Sequence, residues 1–114
     1  MTDKIAVLST CETEDEARRM ARALVENRLA ACVNIVAGAH SVYRWKGGVE
    51  EAAEFLLIIK TSRDRFAEVS AAIERLHSYE LPEVIALPVV AGSARYLEWL
   101  GSALISDSDP AAIR

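Results

Sequence analysis

Residues His40 to Thr61 read HSVYRWKGGVEEAAEFLLIIKT, and the pair Gly47-Gly48 in the middle decides how the rest of the chain is read. Two stretches with strand character flank the glycines, a pattern that signals a tight hairpin and hence two neighbouring antiparallel strands. The second of them contains Phe55-Leu56-Leu57-Ile58-Ile59, which is apolar at every position instead of alternating. A sheet covered on one face only should alternate, so this run asks for cover on both faces.

Upstream of the hairpin, Lys4 to Ser9 (KIAVLS) is a short apolar strand, and Thr13 with Glu16 three residues later has the form of a capping box. Ala17, Met20, Ala21, Leu24, Val25 and Arg28 then recur at helical spacing, which predicts a helix to about Arg28. LAACVNIVAG follows as a strand that ends at Gly38. Downstream, Phe66, Val69, Ile73 and Leu76 mark a second amphipathic helix, with Asp64 after Thr61 as a cap candidate and an end near His77. Pro82 forbids continuation; VIALPVV is a strand with Pro88 at an edge or an end, and SARYLEWLGSAL is a third helix after Gly92.

This order predicts an α+β fold, a ferredoxin-like β-α-β-β-α-β sandwich with an added C-terminal helix. One domain should cover residues 1–105, and SDSDPAAIR, residues 106–114, should be a flexible tail. In such a fold two helices cover one sheet face and leave the other open. Because Phe55 to Ile59 and Val84 to Leu87 are apolar on both faces, a lone subunit would expose a hydrophobic patch. Self-association through the open face, with closed cyclic symmetry, is the expected remedy.

The chain has 114 residues, 52% hydrophobic and 26% charged, which suits one core. No apolar run is long enough for a membrane span, and the N-terminus lacks the pattern of a signal peptide, so the expected location is the cytoplasm with no membrane partner. A net charge of −4, without a basic cluster beyond Arg18-Arg19, predicts no nucleic-acid partner. Cys11 and Cys32 are too far apart for a CxxC metal pair and too few for a disulfide framework. They are expected as reduced thiols, Cys32 as a small core residue and Cys11 as the more exposed.

Five blocks, AACVNIVAG, SVYRWKG, LLIIKT, HSYELPE and YLEWL, together resemble the CutA divalent-cation-tolerance family over about residues 4 to 104. The resemblance implies a ferredoxin-like subunit in a tight homotrimer, similar in architecture to the PII signalling proteins. It also implies tolerance to copper and other divalent cations, no obligatory cofactor and no established catalytic reaction. Members proposed to bind copper carry a cysteine at the end of the first strand and paired histidines before the turn. Those positions here read Ser9 and Leu76-His77, with Ser78 where a proline is usual. The resemblance therefore carries over His77, and Cys11, two residues beyond Ser9 on the same strand face, is the candidate second metal ligand.

The plainer reading of His77 is a residue at a helix C-terminus whose charge complements the dipole. Tyr79, Glu80 and Glu83 surround Pro82, and Glu54 and Lys60 lie on the preceding strand. These carboxylates with Lys60 form either an intersubunit cleft for a cation or small polar ligand, or ion pairs that fix the register of a trimer. Tyr43 and Trp45 either wall such a pocket or anchor a neighbouring chain. Tyr96 and Trp99 are expected in the core of the last helix, and His40 is expected to be solvated.

GxSxG, HExxH, P-loop and GxGxxG motifs are absent from the sequence, which predicts a protein that is not an enzyme. A ferredoxin-like acylphosphatase would need a phosphate-cradling loop after the first strand, whereas Thr10 to Asp15 is acidic and lacks glycine. Two functions remain: a cation-tolerance protein with weak copper binding, and a PII-like signalling protein holding a small metabolite or anion in its intersubunit clefts.

Overall fold

A computed structural model describes residues 2–105. Its elements are β1 (Lys4–Cys11), α1 (Glu14–Glu26), β2 (Cys32–Trp45), β3 (Gly48–Ser62), a 3-10 turn (Arg63–Arg65), α2 (Phe66–Leu76), β4 (Ile85–Pro88) and α3 (Ala94–Ala103). The four strands form one sheet in the order β2-β3-β1-β4, with every neighbouring pair antiparallel. Residues 106–114, read from the sequence as a flexible tail, lie outside the described residues.

Helix α1 starts where its sequence says it should: the Thr13 hydroxyl accepts from the Glu16 N–H at 3.1 Å, and Glu14, Asp15 and Glu16 complement the helix dipole. Ala17, Met20, Ala21 and Leu24 face the core. The helix ends in a Schellman arrangement, with Arg28 N–H on Val25 O and Leu29 N–H on Leu24 O. Arg28 therefore adopts φ 60°, where glycine is usual. Its guanidinium donates to Ala103 O at 3.0 Å, while Arg65 donates to Leu104 O at 2.8 Å. Two arginines thus satisfy carbonyls at the end of α3 and dock it.

The strand expected to stop at Gly38 continues. A bulge between Val36 and Ala39, with Gly38 at φ 88°, bends β2 and lets it run on to Trp45. The tight turn is Lys46-Gly47, both at positive φ, so Trp45 pairs with Gly48 and the turn sits one residue earlier than Gly47-Gly48 suggests. From Ala39 to Glu54 the hairpin strands pair only with each other, because β1 meets β3 no further along than Phe55. This two-stranded arm gives the subunit its elongated 54 × 27 × 22 Å form.

One sheet face carries the core: Ile5, Val7, Cys11, Leu57 and Ile59 pack with Met20, Leu24, Val69 and Ile73 of the two helices. The opposite face presents the rows Ile58-Leu8-Ile85 and Leu87-Ala6-Lys60. Ile85 and Leu87 remain 51% and 49% exposed, so the apolar character of both faces read from the sequence is real. Helix α3 touches this face at Lys60, whose ammonium lies 5.7 Å from the Tyr96 ring centroid.

Candidate functional site

Two adjoining sites share the segment after α2. The first is buried. Strand β1 runs past Ser9 and places Cys11 on the core face, where it is fully buried. Cys32, on the opposite face by register, is half-buried, so the two thiols exchange the environments expected from sequence. Cys11 Sγ lies 3.8 Å from His77 Nε2, and Glu16 Oε2 lies 3.7 Å from His77 Nδ1. One donor atom from each of Cys11, Glu16 and His77 falls within 4.8 Å of the others.

Glu16 was legible only as the reciprocal half of a capping box. Its carboxylate instead turns inward, where Oε2 accepts the Ser78 N–H at 2.7 Å and Oε1 is buried without a partner. Ser9 Oγ is likewise buried without a partner. His77 is the C-cap of α2, as its place in the sequence suggests, but its ring is buried and engaged at both nitrogens. Nδ1 accepts the Tyr79 N–H at 3.0 Å, so the ring is the neutral tautomer whose Nε2–H donates to Thr10 O at 2.6 Å. Burial first, then the charges of Glu16 and Glu54, push the Cys11 thiol up to about 12. The thiol is protonated and, by itself, a poor nucleophile.

The second site is a cleft of about 740 Å³ between the base of the hairpin arm and the turn at Pro82. Tyr43 and Trp45 from β2, Glu54 from β3, and Tyr79, Glu80 and Glu83 from the turn all line it, so the fold brings together six of the seven cleft residues named from sequence. Lys60 is the exception. It lies six residues along β3 from Glu54, about 20 Å at the usual strand rise, beside Tyr96 of α3. Glu54 is 7% exposed and accepts the Tyr79 hydroxyl at 2.7 Å. Burial and that hydrogen bond hold the Tyr79 phenol above its usual range.

His40, solvated as expected, pairs with Glu51 at 2.8 Å on the arm. Tyr96 and Trp99 are 42% and 46% exposed in the isolated subunit and do not enter its core. Their apolar bulk faces outward because Leu100 and Leu104 occupy the buried side of α3.

A family model described as the CutA1 divalent ion tolerance protein matches residues 5–103. The chain belongs to the CutA1 family. It is 50% identical over 94 residues to the divalent-cation tolerance protein CutA of Thermus thermophilus, spanning 82% of this chain and 91% of that protein. Human Protein CutA is 44% identical over 104 residues, which cover 91% of this chain but 58% of the human protein. Among solved CutA structures, that from Xylella fastidiosa has a TM-score of 0.88 at 39% identity, over 90% of this chain and 99% of that one. The Thermus thermophilus CutA1 structure has a TM-score of 0.86 at 47% identity, over 88% and 97%.

The family model and the Thermus thermophilus protein are named for tolerance, not for a reaction. The compartments of relatives differ: the Arabidopsis thaliana relative is called chloroplastic and the Archaeoglobus fulgidus structure periplasmic. Among the described residues here, no helix is long and apolar enough to cross a membrane.

Proposed function

We propose that this chain is one ferredoxin-like subunit of a non-enzymatic, cytoplasmic homotrimer of the CutA type that serves the response to divalent cations, with weak copper binding at His77 and Cys11. The observation that carries the metal reading is the convergence of thiol, imidazole and carboxylate within 4.8 Å. The unpartnered Glu16 Oε1 beside them fits a cation, and the three donor types suit copper or zinc. Glu16 thereby joins the two ligands named from sequence.

Both imidazole nitrogens are already engaged and the thiol holds its proton. An incoming ion must break the Nε2–H contact to Thr10 O, move that proton off Nε2 and displace the thiol proton, which makes the affinity weak and lets it rise with pH. The homotrimer is supported by the exposed apolar sheet face and by the hairpin arm, since a two-stranded ribbon is marginal in water by itself.

Calorimetric titration of copper into the reduced protein and into His77→Ala tests the metal reading, with sedimentation run on both. Saturable binding of about one ion per chain, lost in the variant, is expected. Binding that survives His77→Ala overturns the ligand assignment, and a monomer at micromolar concentration overturns the assembly.

A second reading, a PII-like signalling protein that holds a small metabolite or anion in intersubunit clefts, is favoured by one observation. The cleft of about 740 Å³ lies within the range of small-molecule sites.

A further inference from the structure

We infer that the cleft between the hairpin arm and the Pro82 turn binds an organic ammonium, held between aromatic faces and carboxylates. The inference rests on the second reading above and gives its ligand a charge and a chemical class. Three carboxylates, Glu54, Glu80 and Glu83, line the cleft together with Tyr43, Trp45 and Tyr79, and no cationic side chain is among the lining residues. With Lys60 far along β3, the cleft has no lining charge to hold an anion and every reason to repel one.

The chain's own lysine displays the recognition. The Lys46 ammonium stands 5.5 Å from the Trp45 ring centroid and 3.5 Å from Glu80 Oε2. That is a primary amine held by an aromatic face and a carboxylate at the edge of the cleft, within the distance at which a ring quadrupole attracts a cation. Lys46 and Glu80 are both largely exposed, so their pairing is weak and readily exchanged for a ligand.

Deeper in, the Glu54 side chain lies in a place where water is mostly excluded. Its Oε2 accepts the Tyr79 hydroxyl. A buried carboxylate facing aromatic walls attracts an alkylammonium more strongly than either element does at an exposed surface. A bare metal ion fits less well. Among the described residues the only group of three metal-type ligands that converge is Cys11, Glu16 and His77, so the cleft carboxylates do not close around an ion.

The experiment is calorimetry at low salt on the full chain in its assembled form, with putrescine as the organic cation, succinate as an anion of the same length, and magnesium as the metal. Putrescine should bind saturably and the other two should not. Trp45→Leu and Glu54→Gln should each weaken putrescine at least tenfold, and Lys46→Gln, which removes the internal competitor, should tighten it severalfold. Circular dichroism and sedimentation verify that each variant keeps its fold and mass. If Glu54→Gln fails that check, Trp45→Leu and Lys46→Gln decide, since both lie on the arm.

Absence of putrescine binding in both the parent and Lys46→Gln overturns the inference, as does binding indifferent to Trp45→Leu. Succinate binding in its place overturns the ammonium but leaves the second reading standing. Failure of all three probes counts against both.

Discussion

The Tyr79 hydroxyl donates to Glu54 Oε2 at 2.7 Å, tying the turn after α2 to the middle of β3 across 25 residues of sequence. The same tyrosine ring lies 4.5 Å from that of His77, so the bond on the cleft side and the buried Cys11-Glu16-His77 group share one rigid corner. A hydrogen bond to a charged, mostly buried carboxylate contributes about 1.5–3 kcal/mol. Tyr79→Phe should lower stability by that order in urea unfolding of the assembled protein. The Tyr79→Phe/Glu54→Gln double variant should lose less than the sum of the two single variants. Simple additivity would mean that the two groups do not interact.

Alkaline stability follows from the buried thiol. Burial and nearby carboxylates raise Cys11 from 9.0 to about 12, and Tyr79 is shifted in the same direction. Between those pH values the unfolded chain releases a thiol proton that the folded chain keeps. Stability is therefore full below pH 9.0 and falls as pH rises toward about 12. Melting temperature followed from pH 8 to 11 should fall more gently for Cys11→Ala than for the parent, even if the variant starts lower. Parallel slopes would remove Cys11 from the account.

The open sheet face supplies a test of assembly that spares the subunit core. Ile85 is half-exposed on edge strand β4, beside Leu8, and stands outside the buried core of the subunit. Ile85→Asp should leave the circular dichroism spectrum unchanged while dissociating the oligomer, because a carboxylate buried without a partner costs several kcal/mol at each interface. Sedimentation velocity reads the outcome, and an unchanged oligomer would place the contact elsewhere on the subunit.

What the sequence discloses and what it hides divide along physical lines. Helix α1 was legible because its signals are local: the Thr13 cap and the spacing of Ala17, Met20 and Leu24 act within one turn or two. The continuation of β2 was hidden because Gly38 reads as a stop, whereas at φ 88° it is a bulge that redirects the strand. Glu16 was hidden for a different reason. Its spacing from Thr13 is that of a capping box, and only folding brings the Ser78 N–H, 62 residues away, within reach of its carboxylate. Glu54 and Lys60 were read as one charged group because they share a strand, but the rise along β3 separates them. Tyr96 and Trp99 were read as core because aromatic side chains ask for burial, and a single subunit does not supply it.

Ser78 gives the sharpest check on Glu16. His77, the residue before it, already has the extended backbone, φ −79° and ψ 146°, that a residue preceding proline prefers. Ser78→Pro therefore puts little strain on His77 and removes the N–H that Glu16 Oε2 accepts at 2.7 Å. With Oε1 already unpartnered, the buried carboxylate would lose its hydrogen bond from the turn, at a cost of about 1–3 kcal/mol. In a Glu16→Leu background the same proline should be close to neutral, because no acceptor remains to be stranded. Chemical denaturation of the four proteins completes the cycle. An equal effect of the proline in both backgrounds would show that it acts through the turn itself and that Glu16 does not hold the Ser78 amide in a way that matters to stability.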